Sequence, residues 1–133
     1  MKIIRVNNQV EGGQVAFSLL KDEMAKGAKT LGLATGSTPL SFYEEIRKSN
    51  LDFSDMTSIN LDEYVGLAAD NEQSLSSFYA RKSFPIQTNL KKVFFLTAWQ
   101  KICKQKHVVY DQVIAEHGID FQILGIGRDV ILV

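Results

Sequence analysis

The first stretch whose residue types and spacing suggest chemistry is Thr35-Gly36-Ser37-Thr38, set directly ahead of Pro39. It follows an apolar run, Leu31 to Ala34, and precedes a helical pattern, so a strand, a small-residue turn and a helix start succeed one another. At such a junction the unpaired N–H groups and the helix dipole point the same way, which suits an anion, with phosphate first among the occupants. Gly36 permits a sharp bend and close approach of a ligand, Pro39 suits the first helical position, and Ser37 or Thr38 is the candidate cap. An ordinary strand-to-helix turn with a hydroxyl cap reads the same way. The stretch matches neither a P-loop nor GxGxxG.

Two further stretches stand at the ends of apolar runs. Asn60-Leu61-Asp62-Glu63-Tyr64-Val65-Gly66-Leu67 places two adjacent carboxylates directly after a strand-like segment. Solvation alone would explain them, but parallel strands gather their C-terminal ends over one crevice, and Asp62 would then share an edge with the 35–38 turn. Gly125-Ile126-Gly127-Arg128-Asp129 is a second glycine turn at a strand end.

Positioning these three turns requires alternating strands and helices, and the pattern supplies them. Lys2–Val6 alternates and predicts a first strand. Glu11–Lys26 predicts a helix burying Val15, Leu19, Leu20 and Met24, with Gly27 as its stop. Lys29–Ala34 is the next strand, and Pro39 to about Lys48 a helix burying Phe42, Tyr43 and Ile46. Met56–Leu61, Lys92–Leu96 and Asp120–Gly125 read as strands; Gln73–Phe84 and Ile102–His117 read as helices, the latter ended by Gly118. The alternation predicts an α/β fold, a Rossmann-like doubly wound and mostly parallel sheet, in one domain spanning 1–133.

Composition narrows the function. The 133 residues carry 15 basic and 15 acidic side chains, so nothing marks a nucleic-acid or anionic-membrane partner. Cys103 is the sole cysteine, which excludes an internal disulfide and a multi-cysteine metal site. The N-terminus turns polar too early for a signal peptide, and no apolar run approaches a membrane span. The expectation is a soluble cytoplasmic protein without metal or cofactor.

Three segments together, Leu31–Pro39 (LGLATGSTP), Asn60–Leu67 (NLDEYVGL) and Ile123–Asp129 (ILGIGRD), resemble the glucosamine-6-phosphate deaminases, also called isomerases. The first is shared with 6-phosphogluconolactonases; the second discriminates, because lactonases tend to carry Asp-Glu-Arg where this chain has Asp62-Glu63-Tyr64. The resemblance implies conversion of glucosamine 6-phosphate to fructose 6-phosphate and ammonia, on a small-molecule sugar phosphate. It implies that Asp62 is the base at the C1–C2 edge and that Thr35, Gly36, Ser37 and Thr38 hold the phosphate. Glu63 either orients the loop or touches substrate, and Asp129 belongs to the group that assists ring opening. Neither metal nor cofactor is implied. A homo-oligomer is compatible with the sequence and not required by it.

The chain also departs from that family. Where its members continue with Gly-His-Ile and then Phe-Asn-Glu-Pro-Gly, this chain has Val130-Ile131-Leu132-Val133. His107 and His117 fall in or beside a predicted helix and are read as surface residues. Between Val93 and Val109 a Leu-Pro-x-Gly turn and acidic helix are replaced by Leu96-Thr97-Ala98-Trp99 and a basic run. Slips of reading frame in the coding DNA would account for both regions. The resemblance thus implies a partial domain, corresponding to an N-terminal half and truncated at the C-terminal side of the sheet. Three functions follow: a weakly active or inactive deaminase, a non-catalytic phosphosugar-binding module, or a lactonase-like hydrolase.

Overall fold

The structure is a computed structural model that describes residues 2–60, 71, 72, 74, 77, 90–94 and 111–125. Its frame is a four-stranded parallel sheet. Helix α1 spans Gln9–Ala25, strand β1 Thr30–Leu33, helix α2 Leu40–Lys48, and strands β2, β3 and β4 span Thr57–Asn60, Lys92–Phe94 and Phe121–Gln122. The strand order is β3-β2-β1-β4, with every pairing parallel. Residues 111–117 are helical and Gly118 ends them with φ +66°, so the stop expected at that glycine is present.

β1 lies inside the sheet because nothing in Thr30-Leu31-Gly32-Leu33 needs water. All four residues are buried, the pattern of a parallel strand covered on both faces. Leu31 and Leu33 share one face and join Leu20 of α1 with Phe42, Tyr43 and Ile46 of α2 in a single core, each at most 3% exposed. Phe121 of β4 reaches the same core, its ring stacked 6.2 Å from that of Phe42. Ile59, of opposite parity, is also fully buried, so both faces of the sheet are covered, as a doubly wound sheet requires.

α1 begins two residues before the expected Glu11. Asn8 caps it, its Oδ1 accepting from the Glu11 N–H at 2.9 Å, while the Glu11 carboxylate accepts from the Asn7 backbone and side chain. That reciprocal cap starts the helix at Gln9 and carries it through Gly12 and Gly13 despite their low propensity. Gly13 has its own reason to be there. A Cβ at that position would fall 2.6 Å from the Ser41 carbonyl carbon and 2.7 Å from the Phe42 nitrogen, so this is where the helices α1 and α2 touch backbone to backbone. At the far end Gly27 has φ +101°; the Gly27 N–H donates to Met24 O and the Ala28 N–H to Glu23 O, a Schellman stop.

Three expectations fail. Lys2–Val6 forms no strand: Ile3, Ile4 and Val6 are 73%, 42% and 40% exposed, and alternation with no neighbouring strand among the described residues to bond supplies no ladder. Leu19, expected inside, is exposed, because the buried stripe of α1 runs through Gly13 and Leu20. The last strand is shorter than Asp120–Gly125, although the Asp120 N–H to Thr30 O and Ile123 N–H to Gly32 O bonds extend its pairing at both ends. The expected helix over 73–84, residues 95–96 of the fourth expected strand, and 102–110 with His107 fall largely or wholly outside the described residues.

Candidate functional site

Because all four strands are parallel, β1, β2 and β4 deliver their C-terminal ends to one edge of the sheet. Three chain exits meet there: Ala34 into the 35–38 turn, Asn60 towards residues 61–67, and Ile123 towards the second glycine turn. Asp62, Glu63 and Asp129 lie outside the described residues. Thr35, Gly36, Ser37 and Thr38 are described, and so is the first glycine of the second turn.

The first turn is built on an anchored strand end. The buried Tyr43 hydroxyl donates to the Ala34 carbonyl, so α2 holds the last residue before the turn. Gly36 then adopts φ +88°, the left-handed region in which an L side chain is strained. Among the described residues, no heavy atom beyond its own chain neighbours lies within 4 Å of where its Cβ would stand, which leaves the backbone open on that side. Gly36 and Ser37 are exposed, Thr35 and Thr38 half-buried. Among the described residues, the N–H groups of Gly36, Ser37 and Thr38 find no acceptor.

Gly125, the first residue of the second glycine stretch, comes up against the 35–38 turn. A Cβ on Gly125 would stand 3.6 Å from Thr38 Cβ, 3.7 Å from Thr38 Oγ1 and 3.7 Å from the Thr35 carbonyl oxygen. Residues ninety positions apart in sequence therefore share one corner of the sheet edge. On the way into that corner Gln122 lays its side-chain amide over Gly32, where a Cβ would collide with it, and donates to the Ile123 carbonyl at 2.8 Å.

The expected hydroxyl cap on α2 is absent. The helix starts at Leu40 with Pro39 as its cap residue, φ −82° and ψ 0°, and no side chain closes it. Neither Ser37 nor Thr38 serves. The turn is instead tied from outside by Gln9, the first residue of α1, whose Nε2 donates to the carbonyls of both Ser37 and Thr38. Ser41 Oγ returns a bond to the Gln9 carbonyl at 2.8 Å. Sequence reasoning missed Gln9 altogether, since nothing local links it to residues 28 and 29 positions away. Tyr43 was legible as core, and a buried tyrosine hydroxyl needs a partner, but which carbonyl would accept was not.

On the α1 side of the turn lies a cavity of about 330 Å³, bordered by Val6, Ala16, Phe42, Ile123 and Leu124. Its walls are largely apolar, unlike the open backbone at Gly36, and among the described residues no charged group lines it. Among the described residues no group of three or more His, Cys, Asp or Glu could hold a metal ion. No described helix is long and apolar enough to cross a membrane.

This arrangement of strand ends has counterparts among known proteins. No protein-family model matches the chain. The glucosamine-6-phosphate deaminase of Streptococcus pyogenes serotype M3 (strain MGAS315) is 57% identical over 129 residues, which are 97% of this chain and 55% of that protein. That of Streptococcus uberis is 58% identical over the same length, with the same coverage. Over nearly its whole length the chain is similar in sequence to glucosamine-6-phosphate deaminases. It spans about half the length of the curated deaminases it matches. Among solved structures, a monomeric glucosamine-6-phosphate deaminase of the NagB superfamily superposes with a TM-score of 0.87 at 28% identity, over 99% of this chain and 58% of that one. A 6-phosphogluconolactonase from Shewanella baltica OS155 superposes with a TM-score of 0.76 at 19% identity, over 96% and 57%. The lactonase likeness is one of fold; the deaminase likeness extends to sequence.

Proposed function

We propose that the chain carries the phosphate-holding turn and the isomerisation base of a glucosamine-6-phosphate deaminase site. The observation that supports this most directly is the open turn at Gly36, whose N–H groups have no described acceptor, set against Gly125 at the edge where the parallel strands end. In this reading Thr35, Gly36, Ser37 and Thr38 take the 6-phosphate, which fixes the far end of the open-chain sugar. Asp62 removes the proton at C2, giving an enolamine, and returns a proton to C1, giving the C2 imine. Water then hydrolyses the imine to fructose 6-phosphate and ammonia, which is hydrolytic chemistry. Glu63 orients the loop or contacts substrate, and Asp129 assists ring opening. A cytoplasmic setting accompanies this reading.

Turnover by these 133 residues is expected to be weak or absent. Ile131 stands where the resemblance places a ring-opening histidine, and hexosamine phosphates in water are mostly cyclic. Losing a positioned acid–base group lowers rate by roughly a hundred- to ten-thousand-fold. The same substitution favours the second reading, phosphosugar binding without catalysis.

The test has two arms. Glucosamine 6-phosphate is expected to raise the melting midpoint of the purified chain, and unphosphorylated glucosamine to leave it unmoved. Ammonia release at the rate of the streptococcal deaminases, abolished by Asp62→Asn, would overturn the weak-turnover reading. No shift with the phosphorylated sugar would overturn the site.

A further inference from the structure

We infer that Gln9 is a positioning residue for the phosphate turn: it aims the Thr38 N–H at the ligand by holding the peptide from behind. The inference rests on the proposed role of residues 35–38 and names a group that this role does not include.

The geometry is simple. A trans peptide is planar, and its C=O and N–H point in opposite directions. The described chain contains no cis peptide bond. Gln9 Nε2 bonds the Ser37 carbonyl, so that carbonyl faces α1 and the N–H of the same peptide unit, belonging to Thr38, faces away from it. The second bond, to the Thr38 carbonyl at 3.1 Å, holds the next peptide unit. That unit ends in Pro39 and has no N–H to offer, so its orientation governs only how the chain enters α2. One side-chain amide, with two donors, thus bonds two successive peptide planes on either side of Thr38, and the Ser37 carbonyl also accepts from the Leu40 N–H at 3.4 Å.

Gln9 can do this because it is itself held. It is the first residue of α1, directly after the Asn8 cap, and Ser41 Oγ donates to its carbonyl. Gly13, one turn further along α1, lets the backbones of α1 and α2 meet at Ser41 and Phe42. The amide is therefore carried on the element that packs against α2, rather than on a loop.

A residue that only stabilised the fold would change melting when altered. A residue that aims an N–H should change affinity for the phosphate end of a ligand. Gln9→Met keeps the length and removes both donors; Gln9→Glu keeps the shape and places an acceptor against two carbonyls. Gln14→Glu, on an exposed position of the same helix, controls for added charge. The probes are inorganic phosphate and glucosamine 6-phosphate, titrated by calorimetry, with melting midpoints measured in parallel. The two Gln9 variants are expected to lose about tenfold in affinity for both probes by the same factor, the worth of one or two modest hydrogen bonds. Gln14→Glu should match the parent chain. In the parent chain, labelled with ¹⁵N, the Thr38 amide is expected to be among those most shifted by inorganic phosphate.

Parent binding that is undiminished in Gln9→Met and Gln9→Glu overturns the inference and leaves the turn as the phosphate site. Failure of the parent chain to bind either probe overturns both. If neither Gln9 variant folds, the amide spectrum of the parent chain decides, and an unmoved Thr38 amide upon saturation counts against Gln9.

Discussion

β1 and β4 are neighbours in one sheet, yet they live in different surroundings. β1 is paired on both sides, by β2 and β4, and Leu31 and Leu33 are each 1% exposed. β4 is paired with β1 alone among the described residues; Phe121 and Ile123 are half-buried and Leu124 is 45% exposed. Both strands feed a glycine turn at the same corner. The turn after β1 is secured by Tyr43 and Gln9, side chains from two helices, whereas the side chain of Gln122, the last residue of β4, donates among the described residues to the Ile123 carbonyl next to it. The 35–38 turn thus rests on a closed core, while Gly125 follows a strand that leans on β1.

The largest expected effect follows from that difference in burial. Leu33→Ala deletes a side chain from the closed core and is expected to destabilise by about 2–5 kcal/mol, with little relaxation to fill the space. Ile123→Ala removes a side chain that is already part-wet and should cost less than half as much. Urea unfolding of both variants checks it; equal losses would mean that β4 is as closely packed as β1.

A sharper pair of changes probes the contact that brings α1, and with it Gln9, to the turn. Gly13→Ala drives a methyl into the backbone of Ser41 and Phe42, which cannot swing aside, and is expected to cost about 1–3 kcal/mol despite the better helix propensity of alanine. Gly12→Ala meets only Val6 Cγ2 at 3.6 Å, an ordinary contact, and should stabilise by up to about 1 kcal/mol. Opposite signs at adjacent residues would establish the close approach of the helices; a gain at both positions would refute it.

How far the sequence anticipated this structure depended on the range of the forces involved. Leu31 to Leu33 and the Phe42, Tyr43, Ile46 spacing were legible because burial writes itself into local pattern. Gly27 and Gly118 were legible because a left-handed stop needs glycine locally. Lys2–Val6 was misread, since alternation states what a strand would look like but not whether a partner exists. The α2 cap was misread for a similar reason. Ser37 and Thr38 satisfy the local rules for a cap, yet neither side chain closes the helix, and the carbonyls of both accept from Gln9 on another helix. The proximity of Gly125 to Thr35 and Thr38 was legible only at the level of topology, as two turns on one edge, because no local signal sets a distance across ninety residues.

The smallest expected effect concerns the tie between the two strands at their opposite ends. Asp120, just before β4, accepts from the Lys29 N–H at 2.8 Å and the Thr30 N–H at 2.9 Å through the same Oδ2. Thr30 is 5% exposed, so its N–H has little access to water if that oxygen is removed. Asp120→Ala is therefore expected to cost about 1–2 kcal/mol, chiefly through the donor it strands rather than through contacts it deletes. Asp120→Asn keeps an amide oxygen that can accept from both donors, and its loss should be about half as large or less. Amide hydrogen exchange gives the discriminating readout. If β4 leans on β1, Asp120→Ala should speed exchange at Phe121 to Ile123 far more than at Leu31 to Leu33, which keep their bonds to β2. Acceleration spread evenly over both strands would mean that β1 and β4 open together, and that the closed core gives β1 no independence from its neighbour.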